Sequence, residues 1–246
     1  MSEVISLDDQ TIEYKLIKGG RPILIFLHGG GMDYEYSWGK VVPGLSGLGT
    51  LLLFNRAGIG KSSKPTKKQI GNEVIQTVRK LLESLQLEPP YILIGHSSGG
   101  LFANLFARQF PDETQAVVFV DSTHPSQFKE FEADRTWVQK SMFWIIRRFA
   151  KNSEEASIEQ TAELVVNSGE FPNVPIVVIT GTKSDGPAWI QRRSMVENKI
   201  VLHKNFLSLS QNSRHVLTDQ CGHFIPVHQP EIVAEEIEAL VSSGLE

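Results

Sequence analysis

Short, almost wholly apolar runs recur along the chain: Pro22–Leu27 (PILIFL), Thr50–Phe54 (TLLLF), Tyr91–Gly95 (YILIG), Ala116–Val120 (AVVFV) and Val174–Thr180 (VPIVVIT). Runs of this length without polar alternation suit strands buried on both faces of a parallel sheet. Between them lie helical patterns. Val74, Val78, Leu81, Leu82 and Leu85 share one helical face, and Leu101, Leu105 and Phe106 do the same after Gly99. Strand alternating with helix predicts an α/β fold with a mostly parallel central β-sheet flanked by helices. The stretch Thr11–Lys18 alternates instead (Ile12, Tyr14, Leu16) and predicts an antiparallel edge strand. His215–Leu217 is a short strand candidate. A last helix starts at Pro230 or Glu231, with proline in the first turn and acids near the positive end of the helix dipole.

One segment breaks the rhythm. Residues 122–173 hold no buried-strand run, only polar helical patterns with Phe128, Phe131, Trp137, Phe143, Trp144 and Phe149 interspersed. A structureless loop of that length is unusual in a compact domain. The expectation is therefore a core made of residues 1–121 and 174–246, interrupted by a helical cap insertion at 122–173.

Composition narrows the function classes. The 246 residues carry 24 basic and 28 acidic side chains, a net charge of −4, so no bulk positive field draws nucleic acid or an anionic membrane. The single cysteine, Cys221, forms no intrachain disulfide and leaves no Cys-based metal framework. Met1–Gln10 has no apolar signal core, and no apolar run approaches the roughly 20 residues needed to cross a bilayer. These features set the expectation of a cytoplasmic protein acting on a small molecule, with no cofactor, metal, nucleic acid or membrane partner.

The chemistry concentrates at glycine-rich turns. Gly95-His96-Ser97-Ser98-Gly99 has the form G-x-S-x-G, preceded by an apolar strand and followed by an apolar helix. That setting suits a nucleophile elbow, in which the serine occupies a strained backbone between strand and helix. His28-Gly29-Gly30-Gly31 directly follows another buried strand, and such a turn can present backbone N–H groups to a developing oxyanion. Downstream, His223 in Cys221-Gly222-His223-Phe224 is the candidate general base, with His124 its rival. His28 and His96 flank the glycine turns and are read as orienting loops, while His203, His215 and His228 are read as surface or capping residues. The acid is open between two carboxylates at strand ends on the same sheet edge as the serine. Asp185 lies after the strand ending near Thr180 and is preferred; Asp121 ends the preceding strand and is the alternative.

Taken together, the chain resembles the α/β-hydrolase fold superfamily over essentially its whole length. Asn55-Arg56-Ala57-Gly58-Ile59-Gly60-Lys61-Ser62 is similar to the family's D-R-x-G-x-G-x-S loop, with Asn55 standing where an aspartate is usual. The acid loop departs too, because Asp185 comes four residues after Gly181 where many relatives have three, which keeps Asp121 in play. The resemblance implies a carboxylesterase-like serine hydrolase, with Ser97 as nucleophile and His223 as base. It also implies an oxyanion hole from the N–H groups of Ser98 and Gly30, or Gly31. Aspartate at the elbow marks dehalogenases and epoxide hydrolases, and Ser97 argues against both. Thioesterase, C–C bond hydrolase and aminopeptidase activities are alternatives on the same residues, as is ligand sensing with vestigial catalysis. The family's cap corresponds to 122–173, where Met142-Phe143-Trp144-Ile145-Ile146 either lines an acyl pocket or packs onto the core.

Overall fold

The computed structural model describes residues 2–131, 136–149, 152–187 and 191–243. Its strands are β1 (Glu3–Leu7), β2 (Gln10–Ile17), β3 (Ile23–Leu27), β4 (Thr50–Phe54), β5 (Tyr91–His96), β6 (Thr114–Val120), β7 (Ile176–Gly181) and β8 (Ser213–Thr218). They form one sheet in the order β1-β2-β4-β3-β5-β6-β7-β8. The pairs β1/β2 and β2/β4 are antiparallel and all others are parallel. Each residue of β3, β4, β5 and β7 is buried, as continuous apolar runs require of strands covered on both faces. The alternating strand β2 is antiparallel as expected, but it is not the edge. That place belongs to β1, a mostly exposed strand with polar Glu3 and Ser6 that presents no apolar run.

The period-two pleat sends successive side chains to opposite faces, so each central strand feeds two cores. On one face Ile25, Leu27, Leu52, Leu93 and Val178 meet α2 (Gly71–Ser84), α3 (Ser98–Gln109) and α6 (Ile158–Asn167). On the other, Leu24, Phe26, Leu53, Ile94 and Ile179 meet α1 (Tyr34–Trp38) and α9 (Pro230–Ser242). Helix α3 is apolar all round because it is covered all round: every residue from Ser98 to Ala107 is buried.

The described part of 122–173 holds the helices α4 (Gln127–Glu130), α5 (Trp137–Phe149) and α6, joined by irregular chain. They do not behave as one unit. Ile158, Ala162 and Val165 of α6 join the buried cluster of α2 and α3, and the Thr161 hydroxyl oxygen accepts the Gly71 N–H at the start of α2 (3.0 Å). In α5, by contrast, Trp137, Met142, Trp144, Ile145 and Phe149 are all more than half exposed. Met142, Trp144 and Ile145 therefore do not pack onto the core; the side chains of Phe143 and Ile146 lie outside the described residues. Helix α7 (Arg193–Asn205) covers the end of β7, and α8 (Ile225–His228) leads into α9. Among the described residues no helix is long and apolar enough to cross a membrane.

Candidate active site

Parallel strands bring the loops after β5, β6, β7 and β8 to one edge of the sheet, the place where open α/β sheets gather functional groups. Ser97 sits between β5 and α3 with φ 54° and ψ −124°, a conformation that costs a non-glycine residue about 1–3 kcal/mol. The turn exists because its neighbours have no side chains to clash. A methyl group on Gly99 would lie 2.1 Å from the Leu27 carbonyl oxygen, and one on Gly95 would lie 2.7 Å from Gly100 Cα.

The Ser97 hydroxyl and His223 Nε2 are 2.9 Å apart, and His223 Nδ1 is 2.7 Å from Asp121 Oδ2. An ionised carboxylate only accepts, so Nδ1–H donates to Asp121 and Nε2 is left to accept the Ser97 proton. The acid at the imidazole is thus Asp121, the alternative, and not Asp185. The exposed Asp185 carboxylate instead accepts the backbone N–H of His223 at 2.7 and 2.9 Å, fixing the loop that carries the ring. Asp121, directly after β6 with φ 40°, is aimed at the imidazole.

Asp121 is completely enclosed. Its Oδ1 also accepts the Gly181 N–H at 3.0 Å, and Lys199 Nζ from α7 donates to both oxygens at 2.9 Å. Burial pushes the carboxyl up, but the Lys199 charge and the His223 N–H outweigh burial and hold it well below the usual carboxylate range. Lys199 is a site residue that no sequence signal indicated, and His203 is another. Expected at the surface, His203 is fully buried. It accepts from the Thr180 hydroxyl through Nδ1 (2.6 Å) and donates from Nε2 to the Ser122 carbonyl (2.9 Å). Its inward position follows from α7, where Lys199 and His203 are one turn apart on the face turned to the sheet.

Other histidines brace the ring. His96 Nε2–H donates to the His223 carbonyl at 2.9 Å, and burial, with His223 beside it, lowers His96 to about 3, so it stays neutral. His124 does not face the serine proton: its Nδ1 accepts the Ser126 N–H, and its ring lies 4.8 Å from that of Phe206.

The glycine turn is held from beneath. Arg56 Nη1 and Nη2 donate to the carbonyls of His28 (2.8 Å) and Gly29 (3.3 Å), while its other N–H groups engage the buried Glu154 carboxylate. A methyl group on Gly30 would lie 3.3 Å from the Ser98 hydroxyl and 3.6 Å from Glu155 Oε1, so the turn abuts both Ser98 and the start of the segment leading into α6. Ser98 Oγ is buried with no hydrogen-bond partner among the described residues. Asn55 does what an aspartate there would not. Its Oδ1 accepts the Tyr34 N–H (2.7 Å) while its Nδ2 donates to the Glu13 carboxylate (2.9 Å). Glu13, from β2, thereby supplies the carboxylate that the loop lacks. A cleft of about 630 Å³ adjoins this turn, lined by Ile59, Pro65, Arg148, Phe149, Glu154 and Glu155 among others.

Known proteins share this plan. A family model described as the alpha/beta hydrolase fold matches residues 22–195. The chain is 23% identical over 239 residues to YqjL of Bacillus subtilis (strain 168), covering 95% of this chain and 89% of that protein. It is 28% identical over 151 residues to the (lyso)-N-acylphosphatidylethanolamine lipase of Mus musculus, covering 56% of this chain. The chain spans only 31% to 44% of the length of several curated relatives that it matches, that lipase among them. In solved structures, mouse alpha/beta hydrolase domain-containing protein 10 superposes with a TM-score of 0.71 at 20% identity, over 99% of both chains. The sheet order, the strained serine turn after β5 and the family match agree: the chain belongs to the α/β-hydrolase fold family, a family of hydrolases.

Proposed function

We propose that the chain is a serine hydrolase that cleaves a small carboxylic ester through an acyl-enzyme. The observation that carries this reading is the hydrogen-bonded sequence Ser97, His223, Asp121, set on a backbone strained at the serine. Ser97 Oγ attacks the ester carbonyl carbon while His223 Nε2 takes the hydroxyl proton. The N–H groups of Ser98 and Gly30 receive the oxyanion of the tetrahedral intermediate. His223 then gives its proton to the leaving alkoxide, and an acyl group remains on Ser97. Water, deprotonated by the same nitrogen, attacks that acyl group, and collapse returns the serine and releases the acid. Asp121 keeps Nδ1 protonated so that Nε2 is free to accept, and it stabilises the imidazolium formed in each half.

The likeness to a lipase supports a carboxylic ester as substrate, and serine at the elbow sets the chemistry apart from that of enzymes with aspartate there. The exposed helix α5 is our candidate for a cover of the site, and the cleft beside Glu155 our candidate place for the acyl or alcohol group. Hydrolysis of p-nitrophenyl acetate by the wild type and by Ser97→Ala tests the reading. Loss of several orders of magnitude in kcat, with loss of fluorophosphonate labelling, is expected. Equal turnover by the two proteins overturns it.

A further inference from the structure

Lys199 has no place in the reaction just described, yet its ammonium spans both oxygens of Asp121. The four acceptor positions of that carboxylate are all taken: Oδ1 by Gly181 N–H and Lys199, Oδ2 by His223 Nδ1–H and Lys199. Both partners are almost free of solvent, with side-chain exposures of 8% for Lys199 and 0% for Asp121. A carboxylate in such a place is unfavourable unless an opposite charge and hydrogen bonds replace its water. The same helix makes a second attachment, because His203, four residues on, donates to the carbonyl of Ser122. Helix α7 therefore holds the end of β6 at two consecutive residues, by charge at 121 and by backbone at 122.

We infer that Lys199 is a positioning residue of the site: its ammonium makes the burial of a charged Asp121 possible, fixes the direction of that carboxylate, and takes up part of the charge that would otherwise act on the His223 imidazole. The inference rests on the proposed serine-hydrolase reading. The working unit is then four residues long, and its fourth member sets how strongly the third acts on the second. Several groups face this pair. Around Asp121 stand Lys199 and His203 from α7 and the Gly181 N–H of β7. Around the His223 ring stand Asp121, Ser97 and the neutral His96 of β5, with Asp185 on its backbone N–H. Among these Lys199 is the cation in direct contact with the carboxylate, so its removal leaves the Asp121 charge to the imidazole.

The test compares Lys199→Gln, which keeps a hydrogen-bond donor and loses the charge, with Lys199→Arg, which keeps the charge. In Lys199→Gln the acid-side midpoint of the kcat/KM profile is expected to move to higher pH by on the order of one unit. Lys199→Arg is expected to keep the wild-type midpoint even where kcat falls. A Lys199→Gln midpoint unchanged from wild type, in a folded protein, overturns the inference, since a purely structural lysine would not move it. If Lys199→Gln does not fold, the double variant Asp121→Asn/Lys199→Gln decides the matter. Recovery of folding by removing both charges supports charge compensation, and failure of both variants assigns Lys199 to packing instead. Titration of the His223 ring signals by NMR reads the same shift without turnover. Failure of the esterase reading, seen with Ser97→Ala, is thus kept apart from failure of this one.

Discussion

Asp121 and Asp185 both bind His223, and they hold different parts of it. One carboxylate accepts from the ring, where it governs which nitrogen is free to take the serine proton; the other accepts from the main chain, where it governs where the ring stands. Their removal should therefore have unequal effects. Asp121→Asn is expected to lower kcat by about 10⁴, because an amide also donates and turns the imidazole into the wrong tautomer. Asp185→Asn keeps one acceptor for the His223 N–H and should cost roughly tenfold or less, in keeping with a small displacement of a correctly protonated base. Steady-state ester hydrolysis by the two variants measures both; the reverse order of losses would hand the ring's role back to Asp185. His223 was singled out by its place after the last strand, and that Ser97 and the glycine turn sit at the ends of buried strands was legible in sequence, because each lies in a pattern with a steric cause. The choice of acid was not, since both aspartates follow strands on one edge and only the backbone at Asp121, with φ 40°, aims its side chain at the ring.

At the scale of elements, legibility tracked how apolar each inward face is. The central strands announced themselves as unbroken apolar runs, and α2 and α3 as apolar faces. Helix α7 did not, because its buried positions are Met195, Val196, Lys199, Leu202 and His203, two of them polar. The residues that hide this helix from a periodicity argument are the ones that reach Asp121 and Ser122. Strand β1 was missed for the opposite reason, having little to bury. Helix α6 was placed with the insertion because no strand separates it from α5, yet its apolar face completes the layer of α2 and α3. Ile158→Ala should therefore destabilise the whole core by about 2–5 kcal/mol, the range of aliphatic truncations in packed sites. Urea unfolding followed by circular dichroism should show one transition shifted to lower denaturant. An unshifted main transition would mean that α6 belongs to a separately folding cover.

For the whole molecule, the buried histidines link stability to pH. Burial, with His223 beside it, lowers His96 to about 3, and burial lowers His203 to about 4 against the opposing pull of the Asp121 charge. A base depressed in the folded state binds fewer protons than its unfolded counterpart between those values and about 6.5. Stability is then fully present above the unfolded value and falls as the pH drops through that window. Each such histidine should cost on the order of 2 kcal/mol at pH 5 relative to neutral pH. Glu154, raised by burial against the pull of Arg56, works in the opposite direction above its unfolded value and offsets part of the loss. Urea midpoints at pH 7 and pH 5 check the balance, and a protein no less stable at pH 5 would refute it.

Among the described residues the indoles occupy two environments. Trp38 is fully buried, edge-on to Phe26 at 5.4 Å and to His96 at 6.2 Å, whereas Trp137 and Trp144 stand out from α5. Their light emission must therefore differ in colour and in access to soluble quenchers. The blue component belongs to Trp38, which rests on the histidine supporting the His223 loop. In a Trp189→Phe background the red component belongs to Trp137 and Trp144 of α5, so fluorescence then separates events near His223 from events at α5 without any added label.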